Sequence, residues 1–492
     1  MIDHVEKIEN PLAMSAHEFS DTGKQLIERI AAFLEELPRK PVTTGEQPSA
    51  IRTVLGSGSL PEYGVSSELI VNEAADLLFD HSLFNGHPKF WGYITSSATP
   101  IGALGDLLGA AVNPNVGAYI LSPMATEIEK QTVQWLTEFL QMPKGSSGLF
   151  VSGGNMANFV GFLAARKAKA KWDIRKEGIA GRRMLVYCSK GTHTWINKAA
   201  DLFGLGTDSI RWIDMNKNQQ LDIRLLREEI EKDLNAGYYP FMVVGTAGSV
   251  STGTVDDLAA IAEICSAHDL WFHVDGAYGA PAAVLPEYAD VFKGLSAADS
   301  IAIDPHKWLY APLEAGCTLV KDARHLTEAF SFHPVYYNFD GDPEDPAMNY
   351  YDHGLQNSRG FRALKVWMAL RQAGRSGYEK MIRNDIQLAE QLYRMVEQES
   401  ELEPISTSLS ITAFRYVPAD KKDDENYLNK LNETLLNELQ TGGKVFLSNA
   451  VVEEKYCLRV CVVNFRTTVG DLKDLVRIIL EEGNRVNKEM GR

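Results

Sequence analysis

Ser300-Ile-Ala-Ile-Asp304-Pro-His-Lys307-Trp308 is the stretch that decides the fold. Its first four residues form a short, β-branched apolar run of the kind that makes a buried parallel strand. A lysine follows directly, where an ammonium held near a core loses hydration. A lysine can lie there with its stem along apolar surface and its amine in water. It can also be a partly desolvated amine, neutral often enough to attack a carbonyl.

The preceding apolar run favours the second use. Trp271-Phe-His-Val-Asp275-Gly-Ala-Tyr-Gly279 is another apolar strand ending in an aspartate, followed by small residues that let a flat group approach. Pyridoxal phosphate needs this pair: a lysine for its aldehyde and a carboxylate to keep its ring nitrogen protonated. The His273-Val-Asp-Gly-Ala-Tyr278 and Asp304-Pro-His-Lys-Trp308 boxes resemble those of the pyridoxal-phosphate-dependent group II amino acid decarboxylases. Within that family the chain most resembles the bacterial aromatic-L-amino-acid decarboxylases.

Bulk properties are compatible. The chain has 492 residues, enough for a large core and more than one simple domain. With 45% hydrophobic and 23% charged residues it has an ordinary globular composition. A net charge of −16 argues against nucleic acid and anionic membrane as partners. The five cysteines (188, 265, 317, 457, 461) are scattered and odd in number, and Cys457 and Cys461 lack companions for a metal site. Reduced thiols suit a cytoplasmic enzyme. The first residues have no apolar signal core, and no run of about 18 apolar residues occurs.

Along the chain, an amphipathic helix is predicted from about residue 16 to Pro38, an extended connector over 38–64, and a second helix through Leu69–Leu78. The segment His87-Pro-Lys-Phe-Trp-Gly-Tyr93-Ile-Thr-Ser96-Ser97 is aromatic and hydroxyl-rich, and precedes a small-residue helix over 102–111. Strand 149–152 meets Gly153-Gly154-Asn155 at a helix start, where free N–H groups and the helix dipole favour a phosphate. Strand 184–189 delivers His193. Helices 221–235 and 255–268 alternate with strands 241–246, 270–274, 300–303 and 317–320, the rhythm of a mostly parallel α/β sheet. Residues 325–358, rich in Gly, Pro, acids and tyrosines, read as a long surface loop of the lid kind. A long helix through Trp367 follows. From about Gly377 a small α+β domain is predicted, with helices 378–398, 425–440 and 470–488 and strands 411–416 and 456–464.

The family resemblance covers roughly residues 15–485 and implies more than the residues alone do. It implies a fold-type I architecture: an N-terminal helical segment (1–86) swapped across a homodimer, a large cofactor-binding domain (87–376) with a mostly parallel seven-stranded sheet, and a small C-terminal domain (377–492). It assigns Lys307 to the cofactor aldehyde, Asp275 to the ring nitrogen, and Gly154 and Asn155 to the phosphate. His193 would stack on the ring, with Ala277 on the other face, Thr246 beside it, and His306 near phosphate and substrate. Tyr93, Ser96 and Ser97 are candidate substrate-pocket residues. A loop tyrosine entering from the second subunit would protonate the product carbanion; Tyr336 aligns best, with Tyr337 adjacent. Arg459 matches a family arginine that either acts in the site or braces the fold. The implied reaction is decarboxylation of an L-amino acid, with an aromatic substrate favoured by the residues around 90–99. The alternatives are an acidic or diamino acid substrate, an aldehyde synthase on the same scaffold, and a non-catalytic binding homologue. Retention of Tyr336, His193, Lys307 and Asp275 disfavours the last two.

Overall fold

The computed structural model describes residues 10–332 and 347–491. Helices α1 (Ala16–Glu36), α2 (Pro48–Leu55) and α3 (Ser67–Asp80) come first, then α4 (Pro100–Val112) and α5 (Pro123–Phe139). The large sheet and its crossovers follow as β1 (Ser147–Val151), α6 (Gly154–Lys169), α7 (Ile174–Glu177), β2 (Met184–Ser189), α8 (Trp195–Leu202) and β3 (Ile210–Ile213). Next come α9 (Ile223–Asn235), β4 (Tyr239–Thr246), α10 (Leu258–Ala267), β5 (Trp271–Asp275), β6 (Ser300–Ile303), β7 (Gly316–Val320) and α11 (Arg324–Phe330). The C-terminal part holds α12 (Ala363–Glu397), β8 (Leu402–Ser408), β9 (Ile411–Tyr416), α13 (Glu425–Thr441), β10 (Ser448–Val452), β11 (Lys455–Cys461) and α14 (Val469–Met490).

The seven strands of the large sheet run in the order β1-β7-β6-β5-β4-β2-β3. Pairs β6–β5, β5–β4, β4–β2 and β2–β3 are parallel, while β7 lies antiparallel between β6 and β1. All strands but β7 therefore end at one edge, and ligands of open α/β sheets collect at that edge. Strands β2, β5, β6 and β7 are buried along their whole length, as their apolar runs require. The second sheet is antiparallel, β10-β11-β9-β8, with α13 and α14 packed on it around Leu431, Leu435, Leu475 and Ile479. Helix α12 links the two parts, and Gly374 breaks its helical path with φ 64°, ψ 170°, a conformation glycine adopts without the Cβ penalty.

Several sequence expectations need correction. The 38–64 connector is interrupted by α2. The 325–358 segment is not surface loop throughout: it begins inside α11, and the Tyr350–His353 turn is buried. Arg359 explains that burial, because its guanidinium lies 4.5 Å from the Tyr350 ring centre, pairs with Glu129 at 2.5 Å and donates to the Phe150 carbonyl of β1. Helix 378–398 is the second half of α12, and strands β3, β8 and β10 were not anticipated.

Helices α1 and α3 fold back on each other, with Phe33 and Phe79 stacked at 4.5 Å and Arg29 Nη1 donating to Asn72 Oδ1 at 2.7 Å. Their outer faces stay apolar. Phe19, Leu69, Ile70 and Leu78 are exposed, as are Leu104, Leu107, Leu108 and Val112 of α4. Among the described residues, no helix is long and apolar enough to cross a membrane.

Candidate active site

A cleft of about 510 Å³ opens at the carboxyl edge of the large sheet. Its wall takes Gly153, Gly154, Asn155 and Met156 from the β1–α6 turn, His193 from after β2, and Thr246 from the end of β4. Asp275 and Ala277 come from the end of β5, and Asp304, His306 and Lys307 from after β6. Nine residues named from the sequence therefore meet in one place. These are Gly154, Asn155, His193, Thr246, Asp275, Ala277, His306, Lys307 and, in its box, Asp304.

The lysine is held by its own turn. Its backbone N–H donates to the Asp304 carbonyl at 2.8 Å, and its Nζ lies 3.0 Å from Asp304 Oδ2. Asp304 is 2% exposed, and its Oδ1 has no partner among the described residues. Such a buried oxygen needs a donor. The Asp275 carboxylate, also buried, accepts from Trp195 Nε1 at 2.7 Å and from the Ala277 N–H at 3.2 Å. Two N–H donors, with no cation in hydrogen-bond contact among the described residues, fix its direction.

Helix α6 starts at the cleft wall, and no side chain caps it. Its first-turn N–H groups and positive dipole end thus remain available for an anion. Gly153, at φ 118°, makes the turn possible. The turn is tightly enclosed: a Cβ on Gly316 would lie 2.5 Å from Gly153 backbone atoms, and one on Gly154 would lie 2.6 Å from Asp304 Oδ2.

Two histidines border this anion-favouring corner. Burial pushes the His193 imidazole below the ordinary histidine range; Asp275 pulls it back up, and the Lys307 charge adds to the lowering. His306 is also held low by burial, with Asp304 opposing, and its Nδ1 sits 2.8 Å from the Ala315 carbonyl. Both rings are therefore biased toward the neutral form. Behind the site, Asp256 accepts from the Thr246 and Leu221 N–H groups at 2.8 and 2.7 Å. Burial raises the Asp256 carboxyl to about 6.

Other expected residues sit elsewhere. Tyr93, Ser96 and Ser97 do not line the cleft; Ile94 does. Tyr93 adopts φ 50° and is 60% exposed, Ser96 Oγ donates to the His306 carbonyl at 2.8 Å, and Ser97 is fully buried. The backbone turn at Tyr93 sends the tyrosine outward and brings its neighbour in. Arg459 donates to the carbonyls of Val250 and Tyr93, the latter at 3.0 Å. Val250 and Ile94 both line the cleft, so Arg459 braces two of its walls. Tyr336 and Tyr337 lie outside the described residues. Val250, Leu313 and Glu314 of the cleft wall, and Trp195 behind Asp275, have no role expected from sequence, although Trp195 stands two positions after His193.

The uncapped helix end and two buried oxygens without a partner among the described residues, Asp304 Oδ1 and Thr246 Oγ1, together form a polar pocket with unmet hydrogen-bonding capacity. Those features fit a phosphorylated, hydroxyl-bearing aromatic aldehyde such as pyridoxal phosphate, with Lys307 to take the aldehyde.

Comparison with known proteins agrees. The family described as "Pyridoxal-dependent decarboxylase conserved domain" matches residues 55–417. The aromatic-L-amino-acid decarboxylase of Bacillus atrophaeus is 31% identical over 94% of this chain and 95% of its own length. The phenylacetaldehyde synthase of Arabidopsis thaliana is 28% identical over 96% of this chain and 97% of its own. The crystal structure of Oryza sativa TDC with PLP and tryptamine superposes with a TM-score of 0.90 at 25% identity, covering 97% of this chain and 99% of that one. A fold-type I sheet, a lysine and an aspartate at its carboxyl edge, and similarity along nearly the whole chain place this protein in the family of pyridoxal-phosphate-dependent amino acid decarboxylases.

Proposed function

We propose that this enzyme decarboxylates an aromatic L-amino acid, releasing the amine and carbon dioxide, and that it works as a homodimer in the cytoplasm. The observation that carries the reading is the meeting of Lys307, Asp275 and the uncapped start of α6 in one cleft. Pyridoxal phosphate supplies an aldehyde for the substrate amine and a protonated ring that draws electrons from the bond to the departing carboxyl. Lys307 would hold the aldehyde, Asp275 the proton on the ring nitrogen, and the N–H groups at Gly154 and Asn155 the phosphate. His193 would cover one ring face and Ala277, small enough to allow contact, the other. Thr246 and His306 would complete the polar surround. Tyr336 would deliver a proton to the substrate Cα, a role carried by resemblance alone.

The aromatic preference rests on the apolar Ile94, Val250 and Leu313 in the cleft wall. It is also supported by the substrates in the names of several relatives. Dimerisation is supported by the exposed apolar side chains on α1, α3 and α4, the kind of surface that marks protein–protein contact. A cytoplasmic site fits five buried, unpaired thiols. The helical N-terminal unit (1–86), the large domain (87–376) and the small domain (377–492) are proposed with the last boundary beside the Gly374 break.

The test is a panel of amino acids assayed for amine, carbon dioxide, aldehyde and peroxide under air. Tryptophan, tyrosine or phenylalanine should give amine and carbon dioxide in equal amounts. Faster turnover of glutamate, aspartate or diaminobutyrate would overturn the aromatic reading. Aldehyde with ammonia and peroxide as the main products would make it an aldehyde synthase, an activity named among its relatives. Tyr336→Phe and Tyr337→Phe, compared for a switch from amine to aldehyde, would show which tyrosine delivers the proton; no switch in either removes the role.

A further inference from the structure

The three residues after Lys307 are anchored to the far half of α12, beyond its break at Gly374. Asp385 Oδ2 accepts from Trp308 Nε1 at 3.0 Å and from the Tyr310 hydroxyl at 2.5 Å. Between them, the Leu309 carbonyl accepts from the Tyr378 hydroxyl at 3.0 Å. Trp308 is further stacked on Tyr278 at 5.0 Å, and the Tyr278 hydroxyl bonds Ser410 at 2.6 Å. Trp308, Tyr310 and Asp385 are all buried.

This arrangement asks something of a carboxylate. Asp385 forms no ion pair among the described residues, so its burial is uncompensated by a cation, and an apolar side chain would avoid that cost. An apolar side chain would also strand two buried donors on the turn that carries the lysine. Tyr310 has a left-handed φ of 55° and its N–H donates to the Lys307 carbonyl at 3.1 Å. Such a conformation persists when its surroundings over-determine it. The hydroxyl bond to Asp385 is one of the constraints, and it is transmitted within a single turn to Lys307.

We propose that Asp385 is a positioning residue for Lys307, by which the helix leading into the small domain sets the direction of the reactive amine. The proposal rests on the reading of Lys307 as the cofactor lysine. Asp385 touches neither cofactor nor substrate and acts through Trp308 and Tyr310.

The experiment compares wild type, Asp385→Ala, Asp385→Asn and Tyr310→Phe as purified holoenzymes. Fold is followed by circular dichroism, cofactor content by release and assay, and Lys307 by mass spectrometry after borohydride trapping. In Asp385→Ala, cofactor content should stay within threefold of wild type while the trapping rate of Lys307 and kcat both fall at least tenfold, with KM within twofold. Asp385→Asn keeps an acceptor oxygen and should restore both rates to within threefold of wild type. Tyr310→Phe should lie between. A lower melting temperature with unchanged trapping and kcat in the folded protein would reduce Asp385 to packing and overturn the proposal, as would Asn behaving like Ala. Should Asp385→Ala not fold, Trp308→Phe combined with Tyr310→Phe must slow trapping at least fivefold, or the proposal fails. Absence of trapping at Lys307 in wild type would instead sink the reading of the lysine itself, and this role with it.

Discussion

Trp195→Phe removes one atom group that matters: the indole N–H that reaches Asp275 Oδ2 at 2.7 Å. The ring is wholly buried, edge-on to Phe162 at 6.5 Å and to His273 at 5.7 Å, so phenylalanine keeps most of the packing. A hydrogen bond to a charged acceptor contributes about 1.5–3 kcal/mol. The smaller ring adds a cavity cost of roughly 1 kcal/mol. Unfolding by urea should therefore show a loss of roughly 2–4 kcal/mol in the wild-type background. In an Asp275→Ala background, which has no side-chain acceptor, the same substitution should cost no more than about 1 kcal/mol, because only the cavity remains. With the indole donor gone, Asp275 keeps the Ala277 N–H at 3.2 Å as its one described donor, and kcat for amine release should fall about tenfold through misdirection of the carboxylate. Equal costs in the two backgrounds would refute the pairing. A normal loss of stability with kcat within twofold of wild type would show that Trp195 supports the core and not the direction of Asp275.

Lys307→Ala should leave the circular dichroism spectrum unchanged but give no amine above blank and no borohydride-stable cofactor label; retained turnover would remove Lys307 from the chemistry. Burial raises the Asp385 carboxyl to about 7, with donors from Tyr310 and Trp308 opposing. The native state then holds its proton where the unfolded chain has lost it, so this group's stabilisation is present at low pH and is lost as pH rises toward 7, on the order of 4 kcal/mol in all. Asp385→Asn should remove that slope, and urea midpoints at pH 5 and pH 8 that change in parallel with wild type would contradict the assignment. Replacing Leu104 and Leu108 together by glutamate puts two charges on one exposed face of α4. If the proposed dimer uses this face, the apolar area of two leucines, about 1.5–3 kcal/mol each, should raise its dissociation constant at least about a hundredfold. Light scattering at unchanged dimer mass would exclude that face from the interface.

The large sheet was legible because its buried strands are continuous apolar runs joined by amphipathic helices. Strands β5 and β6, and the residues that end them, could be read off directly. The strands that escaped notice are those whose residues give a weak signal. In β3, Arg211 interrupts the apolar run to pair with Asp233 at 2.8 Å. Edge strand β8 carries Pro404, tolerated there because an edge need not donate. Strand β10 alternates buried and exposed over only five residues. In the site, residues expected at strand ends lie together in the cleft wall, whereas those expected on an irregular segment lie outside it. Tyr93, Ser96 and Ser97 share a loop whose left-handed turn decides which side chain faces the cleft, and no residue pattern encodes that direction. Trp195 was visible as an aromatic beside His193, but its partner lies 80 positions away, a contact created only by the parallel pairing of strands.

The placement of β7 has a consequence for how this enzyme can vary. Because β7 runs antiparallel between β6 and β1, the link that bears Lys307 leaves and re-enters the sheet at the same edge, with both of its ends locked in register. A change in the length of that link cannot be absorbed by sliding β7 one position without exchanging the side chains that β7 buries on the two faces of the sheet. Insertions and deletions between Asp304 and Gly316 should thus be the least tolerated in the cleft. The walls formed by Ile94 and Val250 hang on turns, held by Arg459 through backbone carbonyls alone. Their side chains are free to be exchanged without disturbing the brace. Altered substrate range, whether by drift or in a library, should accumulate at those two positions while the lysine link stays fixed in length.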